Sequence, residues 1–245
     1  MNIKLIISYL GTNYCGWQVQ KNAVSIQERL QDAVQAVFGK RYDLKGCSRT
    51  DSGVHANSFC CCVCADSDLT IPENKIPLAL NHFLPDDIAV INAEYVPDSF
   101  HPRYDVKYKE YEYVIWNASA KNPFLSDRAF HYPKKLDETV MDKAAKLFIG
   151  KHDFTSFMAS GSSITDAVRE IYYFNVRRDE EKVIINVAAD GFLYNMVRIL
   201  VGTLIETSEH KITLDDIPSI IASRNRKKAG FTAPPQGLYL NKVVY

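Results

Sequence analysis

Short β-prone runs and helices with apolar periodicity alternate along this chain in two successive halves, which confines it to a layered arrangement of sheet and helices. Residues 3–10 alternate and are rich in β-branched and aromatic types, the pattern of a first strand. Ser25-Ile26-Gln27-Glu28 is a capping box, followed at helical spacing by Ile26, Leu30, Ala33, Val34 and Val37. Strands are expected over 44–49, 57–65 and 88–95, with a helix over 75–83. In the second half, 108–116 is strongly β-prone, with Tyr111, Tyr113 and Ile115 on one face. A helix over 137–149 ends at Gly150, and 171–176 with 183–189 read as a hairpin across the polar stretch 177–182. Residues 193–205 read as an amphipathic helix with Arg198 on its polar face beside Tyr194, Asn195 and Gly202. A short helix over 214–222 and a last strand over 238–244 close the chain. The junction between the halves falls near 97–108 or 131–137, and the division taken is 1–105 and 106–245. No βαβ fingerprint or phosphate-binding glycine loop is present, so a nucleotide-cofactor fold is set aside. An α+β fold with an antiparallel or mixed sheet and helices on one side fits best.

The 245 residues, 47% of them hydrophobic and 24% charged, suit a soluble globular protein that can bury a substantial core. No apolar run approaches the ~20 residues needed to span a membrane. Lys4 before an apolar stretch has a faint likeness to a signal peptide, but the stretch breaks at Gly11-Thr12-Asn13, so the expectation is a strand and a cytoplasmic protein. Four of the six cysteines crowd into Cys60, Cys61, Cys62 and Cys64. Adjacent side chains in a strand face opposite ways and do not converge on one ion, so these read as small buried hydrophobes of a reducing compartment, with no metal. Formal net charge is zero, which argues mildly against a nucleic-acid partner. The basic residues are clustered, however, at Arg177-Arg178 and Arg224-Asn225-Arg226-Lys227-Lys228, and composition leaves RNA binding open.

The chemistry concentrates in Gly46-Cys47-Ser48-Arg49-Thr50-Asp51-Ser52-Gly53-Val54-His55-Ala56. A strand there ends in a polar turn that holds a carboxylate beside a guanidinium, and Arg49 and Asp51 project to one side of an extended chain. On those grounds alone the pair is an ordinary surface ion pair. Alone, Tyr111 and Tyr113 are sheet residues, Arg198 is a solvent-facing helix charge, and His55 and His152 are structural histidines without a catalytic role.

The whole pattern is more specific. The Asp51 segment resembles the active-site signature of tRNA pseudouridine synthases of the TruA type, a Gly-Arg-Thr-Asp-x-Gly-Val-His context. Further stretches match in order: Tyr14-Cys15-Gly16-Trp17-Gln18 with Ser25-Ile26-Gln27; Phe100-His101-Pro102-Arg103 with Tyr111-Glu112-Tyr113; His152-Asp153-Phe154-Thr155-Ser156-Phe157; Phe192-Leu193-Tyr194-Asn195-Met196-Val197-Arg198; and Ala229-Gly230-Phe231-Thr232-Ala233-Pro234-Pro235 with Gly237-Leu238-Tyr239-Leu240. The resemblance implies two related α+β lobes sharing an extended, mainly antiparallel sheet, with a cleft between them. It implies that uridine at positions 38, 39 and 40 of the tRNA anticodon arm is isomerised without cofactor or metal. Asp51 is then the attacking carboxylate, Tyr111 contacts the uracil, Arg198 keeps Asp51 ionised, and Arg49 enters the RNA to hold the base flipped out. Leu238 and Leu240 wall the uracil pocket or pack in the core. A homodimer binding one tRNA across both subunits is also implied. The chain departs from the family at Ser48, usually glycine, at Ser52, commonly alanine, and at Cys15. The rival readings are the same chemistry on another tRNA position or another RNA, a non-catalytic RNA-binding module, and a metalloprotein built on the cysteines.

Overall fold

The computed structural model describes residues 1–65, 70–161 and 164–245, and the chain divides into two compact units. The first comprises Met1–Lys107 with the terminal segment Tyr239–Tyr245, the second Tyr108–Leu238.

In the first unit, β1 (Asn2–Tyr9) pairs antiparallel with both β3 (His55–Cys64) and β4 (Ile88–Val96). β2 (Asp43–Gly46) lies antiparallel to β3, and β10 (Leu238–Val244) pairs parallel to β3 through Tyr239 and Leu240. Alternation sets the buried face of β1, where Ile3, Leu5, Ile7 and Tyr9 point inward. α1 (Ile26–Phe38) starts where the capping box predicts, with the Ser25 side chain accepting from the Glu28 N–H, and it buries Ile26, Leu30, Ala33 and Val34. The expected helix over 75–83 resolves into a 3-10 turn at Glu73–Lys75 and a short α2 (Ile76–Asn81). The strand expected over 44–49 stops at Gly46 as β2, since the chain beyond it turns into the Asp51 loop. The cysteines pair with β1 as alternation requires: Cys61 lies opposite core Leu5, while Cys60 and Cys62 lie opposite Ile6 and Lys4. Cys60 is nevertheless fully buried, because the C-terminal Tyr245 covers it. Lys4 extends beside the same ring, its ammonium 4.9 Å from the Tyr245 centroid and 5.5 Å from that of Phe100.

In the second unit, β5 (Tyr108–Trp116), β9 (Lys182–Ala189), β8 (Val168–Asp179) and β7 (Gly150–Asp153) pair antiparallel in that order, and β6 (Phe130–His131) pairs parallel to β5. Tyr111, Tyr113 and Ile115 share a buried face, as the alternation predicts. The hairpin turn is tighter than expected. β8 and β9 stay paired to Asp179 and Lys182, and Glu180, at φ 53°, makes the reversal. Polarity misplaces the end because outward side chains do not stop their backbone from pairing. α3 (Glu138–Lys146), capped by Asp137, packs on β8 and on the helix over Met196–Ser208.

The largest departure is α4, which runs Met196–Ser208 rather than 193–205. Asn195 in the left-handed region delays its start. It is also buried nearly all round, including Ile199, Gly202 and Thr203, and is not amphipathic. The cause is a backbone contact: a Cβ at Gly202 would lie 1.8 Å from the Phe231 carbonyl oxygen, and one at Gly230 would lie 2.5 Å from the Thr203 nitrogen. At the far end of α4, Glu209 accepts from the Tyr132 hydroxyl at 2.7 Å and pairs with Lys211 at 2.6 Å and Lys134 at 3.1 Å. These partners, Lys211 foremost, hold its carboxyl down at about 2.

Two outcomes follow. Gly202→Ala forces Phe231 away from the helix and is expected to cost about 3 kcal/mol, read as a lower urea midpoint at an unchanged slope. For Glu209, a depressed folded-state value means that its stabilisation is present above the unfolded value near 4.5 and is lost as pH falls toward about 2. Glu209→Gln should therefore lower the urea midpoint clearly at pH 7 and progressively less at pH 4 and pH 3.

Candidate active site

Asp51 stands on the turn between β2 and β3, half-buried, and Arg49 two residues earlier is exposed. The turn closes through the Val54 N–H donating to the Asp51 carbonyl at 3.2 Å, with Gly53 at φ 76° supplying the left-handed residue. The loop after β1 holds it from outside. The Tyr14 carbonyl accepts from the Ser52 hydroxyl at 3.1 Å and from the Gly53 N–H at 3.4 Å, and the Trp17 N–H donates to the Thr50 carbonyl at 3.2 Å. The approach is so close that a Cβ at Gly16, itself at φ 100°, would sit 2.3 Å from the Thr50 oxygen. Trp17 is buried, stacked on Phe59 at 4.2 Å, and its indole lies where a Cβ at Gly46 would be. Behind the turn, the Thr50 hydroxyl shares a buried hydrogen bond of 2.9 Å with the Tyr9 hydroxyl.

This geometry settles what the two serine departures cost. Ser48 is not among the residues at positive φ, so its side chain brings no backbone strain. Ser52 adds a hydroxyl that donates to Tyr14. His55 is fully buried, accepts the Gly11 N–H on Nδ1 at 2.9 Å and lies against the Tyr239 ring, while the His152 Nε2 sits 3.1 Å from the Ile149 carbonyl.

In the second unit, Tyr111 sits mid-strand on β5 opposite Val187, nearly buried, with Phe192 meeting its ring edge-on at 5.0 Å. Two residues along the same face, the Tyr113 hydroxyl donates to the Pro234 carbonyl at 2.7 Å, and burial drives that phenol far above its ordinary range. Arg198 leaves the first turn of α4 half-buried. Its Nε donates to the Ala233 carbonyl at 2.6 Å and its Nη1 to the Asn195 side chain at 2.8 Å, while its backbone carbonyl accepts the Ala233 N–H at 3.0 Å. Arg198 is thus a clamped cation and not the solvent-facing helix charge its position alone suggests. Leu238, 5% exposed, follows Gly237, which lies flat against the Tyr113 ring.

The structure therefore places Arg49 with Asp51 in the first unit, and Tyr111, Arg198 and Leu238 in the second. The supporting residues Tyr9, Thr50, Asn195 and Ala233 were not singled out in the sequence. Asn195 had a readable signal, an asparagine immediately before an apolar helix, because asparagine tolerates the left-handed region. Tyr9 had none. The basic run is not a uniform patch either. Arg226 donates to the Ala229 and Gly230 carbonyls and to the Thr232 hydroxyl, and Arg224 pairs with Asp153 at 2.9 Å, while Lys227 and Lys228 are exposed. Among the described residues no group of three metal-ligating side chains converges.

The family model described as tRNA pseudouridine synthase matches residues 5–105 and 144–245. Proteins called tRNA pseudouridine synthase A match along their whole length. That of Thermoanaerobacter sp. (strain X514) is 48% identical over 250 residues, covering 100% of this chain and 99% of the relative. That of Clostridium acetobutylicum is 46% identical over 244 residues, with the same coverage. A solved Cbf5-Nop10-Gar1 complex aligns with 83% of this chain and 44% of its own at 10% identity and a TM-score of 0.39, a likeness too distant to bear on the chemistry. With the matched segments spanning both units and taking in Asp51 and Arg198, the chain belongs to the tRNA pseudouridine synthase family.

Proposed function

We propose that this enzyme converts uridine to pseudouridine in the anticodon arm of tRNA, at positions 38, 39 and 40, with Asp51 as the nucleophile. The observation that carries the reading is half-buried Asp51 on a turn whose main chain is held by backbone contacts, in a chain similar throughout to proteins called tRNA pseudouridine synthase A. Such a turn brings the Asp51 side chain to the substrate without the main chain having to move.

In the reaction, the bond from ribose C1′ to uracil N1 breaks and a bond from C1′ to C5 forms. N1 gains a proton and C5 loses one, so no electrons are gained or lost and no redox cofactor is required. A target base inside a stem has to leave it first, at a cost of a few kcal/mol. Exposed Arg49 is suited to fill the vacated space and meet phosphates. Tyr111 offers an aromatic ring to the uracil, and Leu238 an apolar wall. Arg198 is the cation that keeps the Asp51 carboxylate ionised as the substrate excludes water, and its clamps to Ala233 and Asn195 suit that duty. The enzyme acts as a homodimer in the cytoplasm, two modest basic surfaces combining to hold one tRNA.

The deciding experiment is pseudouridine formation on an unmodified tRNA transcript with uridines at 38, 39 and 40. Wild type should modify these positions and Asp51→Asn should fall to background while still binding the RNA. Modification only at other positions or in other RNAs would move the chemistry to a different target, and undiminished activity in the variant would remove Asp51 from its role. Tyr9 is a positioning residue: Tyr9→Phe strands the buried Thr50 hydroxyl behind the turn. The expectation is a kcat lower by roughly tenfold to a hundredfold with KM near wild type.

A further inference from the structure

The first unit carries an open cleft of about 610 Å³ that the reaction described above does not use. Its lining includes Asn13, Tyr14, Arg29, His82, Phe83 and Asp87. Phe83, just beyond α2, is 51% exposed, although its backbone is fixed by a 3.0 Å hydrogen bond to the Leu80 carbonyl. The ring of His82, also exposed, meets it nearly perpendicular at 4.9 Å, so the pair presents an aromatic surface that the core does not cover. Arg29 lines the same cleft from α1, and its contact with Asp32, at 3.8 Å, is at the outer limit of an ion pair. Asp87 takes the Tyr14 hydroxyl at 2.5 Å and the Asn13 amide at 3.3 Å, which anchors the loop after β1 to this wall. Burial and Asp87 together hold the Tyr14 phenol well above its ordinary range, so it stays a neutral donor.

We propose that this cleft binds one unpaired nucleotide of the RNA substrate, its base stacked on Phe83 and its phosphate met by Arg29. The proposal rests on the tRNA-modifying function given above. An exposed ring, a nearby guanidinium and polar groups that can accept or donate to a base edge are the components of single-stranded RNA recognition. Stacking is tolerant of sequence, so such a site does not depend on which base occupies it. Tyr14 also ties the cleft to the chemistry: its side chain is part of the lining, while its carbonyl receives Ser52 and Gly53 of the Asp51 turn. A nucleotide held there fixes the strand beside the turn that meets the flipped uridine.

The test is equilibrium binding of unmodified tRNA, run beside the pseudouridine assay on wild type, Phe83→Ala, Phe83→Trp and Arg29→Gln. Phe83→Ala should weaken tRNA binding about tenfold and Phe83→Trp should keep it near wild type, since every base has a face to stack. Arg29→Gln should reduce the slope of log affinity against log salt by about one. Wild-type affinity in Phe83→Ala overturns the proposal, as does equal weakening in the alanine and tryptophan variants. If wild type binds tRNA and needs Phe83 to do so but makes no pseudouridine, the catalytic reading falls and the cleft stands as an RNA site. If wild type makes pseudouridine and Phe83→Ala binds normally, the cleft falls and the catalytic reading stands. Failure of wild type to bind tRNA at all overturns both.

Discussion

The backbone of the loop after β1 lies directly against the backbone of the turn that carries Asp51, and the first unit is arranged around that contact. It requires glycine at position 16, since any side chain would occupy the space of the Thr50 carbonyl. The same demand recurs at Gly11, where a Cβ would lie 2.0 Å from the Val54 oxygen. Once the loop is seated, Trp17 drops onto Phe59, and Gly46 has to be bare to admit the indole. The residues flanking Asp51 are therefore bound by main-chain groups that cannot rotate away. The point from which the Asp51 side chain leaves the main chain is thus set by the fold before any substrate arrives.

The second unit holds its cation by a comparable device. Arg198 and Ala233 exchange two hydrogen bonds, one from the guanidinium to the Ala233 carbonyl and one from the Ala233 N–H to the Arg198 carbonyl. The segment that supplies Ala233 reaches α4 only because Gly202 and Gly230 leave no side chain in the way. Arg226 then secures that segment from its other side by donating to Ala229, Gly230 and Thr232. Close backbone approach through glycine thus precedes the placement of the charged group in both units.

These relations explain which parts were legible in the sequence. The strands could be read because alternation is local, and Tyr111, Tyr113 and Ile115 fall on the buried face for that reason alone. The capping box at Ser25 works within four residues and was equally readable. α4 was not, because its polar-looking face is covered by a segment some thirty residues downstream, and only that covering makes Gly202 and Thr203 core residues. The return of β10 to pair with β3 is likewise silent, since a strand's own pattern does not name its partner. For the site, the motif segments pointed to Asp51 and Arg198 but not to what holds them. Tyr9 reaches Thr50 across 41 residues, and a tyrosine at the end of an alternating strand looks like any other.

The charge balance makes sense at the same level. With 29 basic and 29 acidic residues the chain has no excess positive field to draw a polyanion from a distance. The fold also commits several cations internally. Arg178 bridges Glu138, Asn117 and the Leu136 carbonyl, Lys146 reaches the Phe174 carbonyl, and Arg226 ties down its own loop. Arg49, Arg103, Arg177, Lys227 and Lys228 lie exposed instead. A protein so placed has to recognise RNA chiefly at contact range, through shape and through aromatic faces such as Phe83. Rigid seating of those few groups then matters more than their number, because an arginine or a ring that contributes only at contact contributes nothing when it is displaced. The glycine-mediated contacts that fix the Asp51 turn and the Arg198 clamp are therefore the counterpart of a neutral surface: the fold substitutes geometry for field.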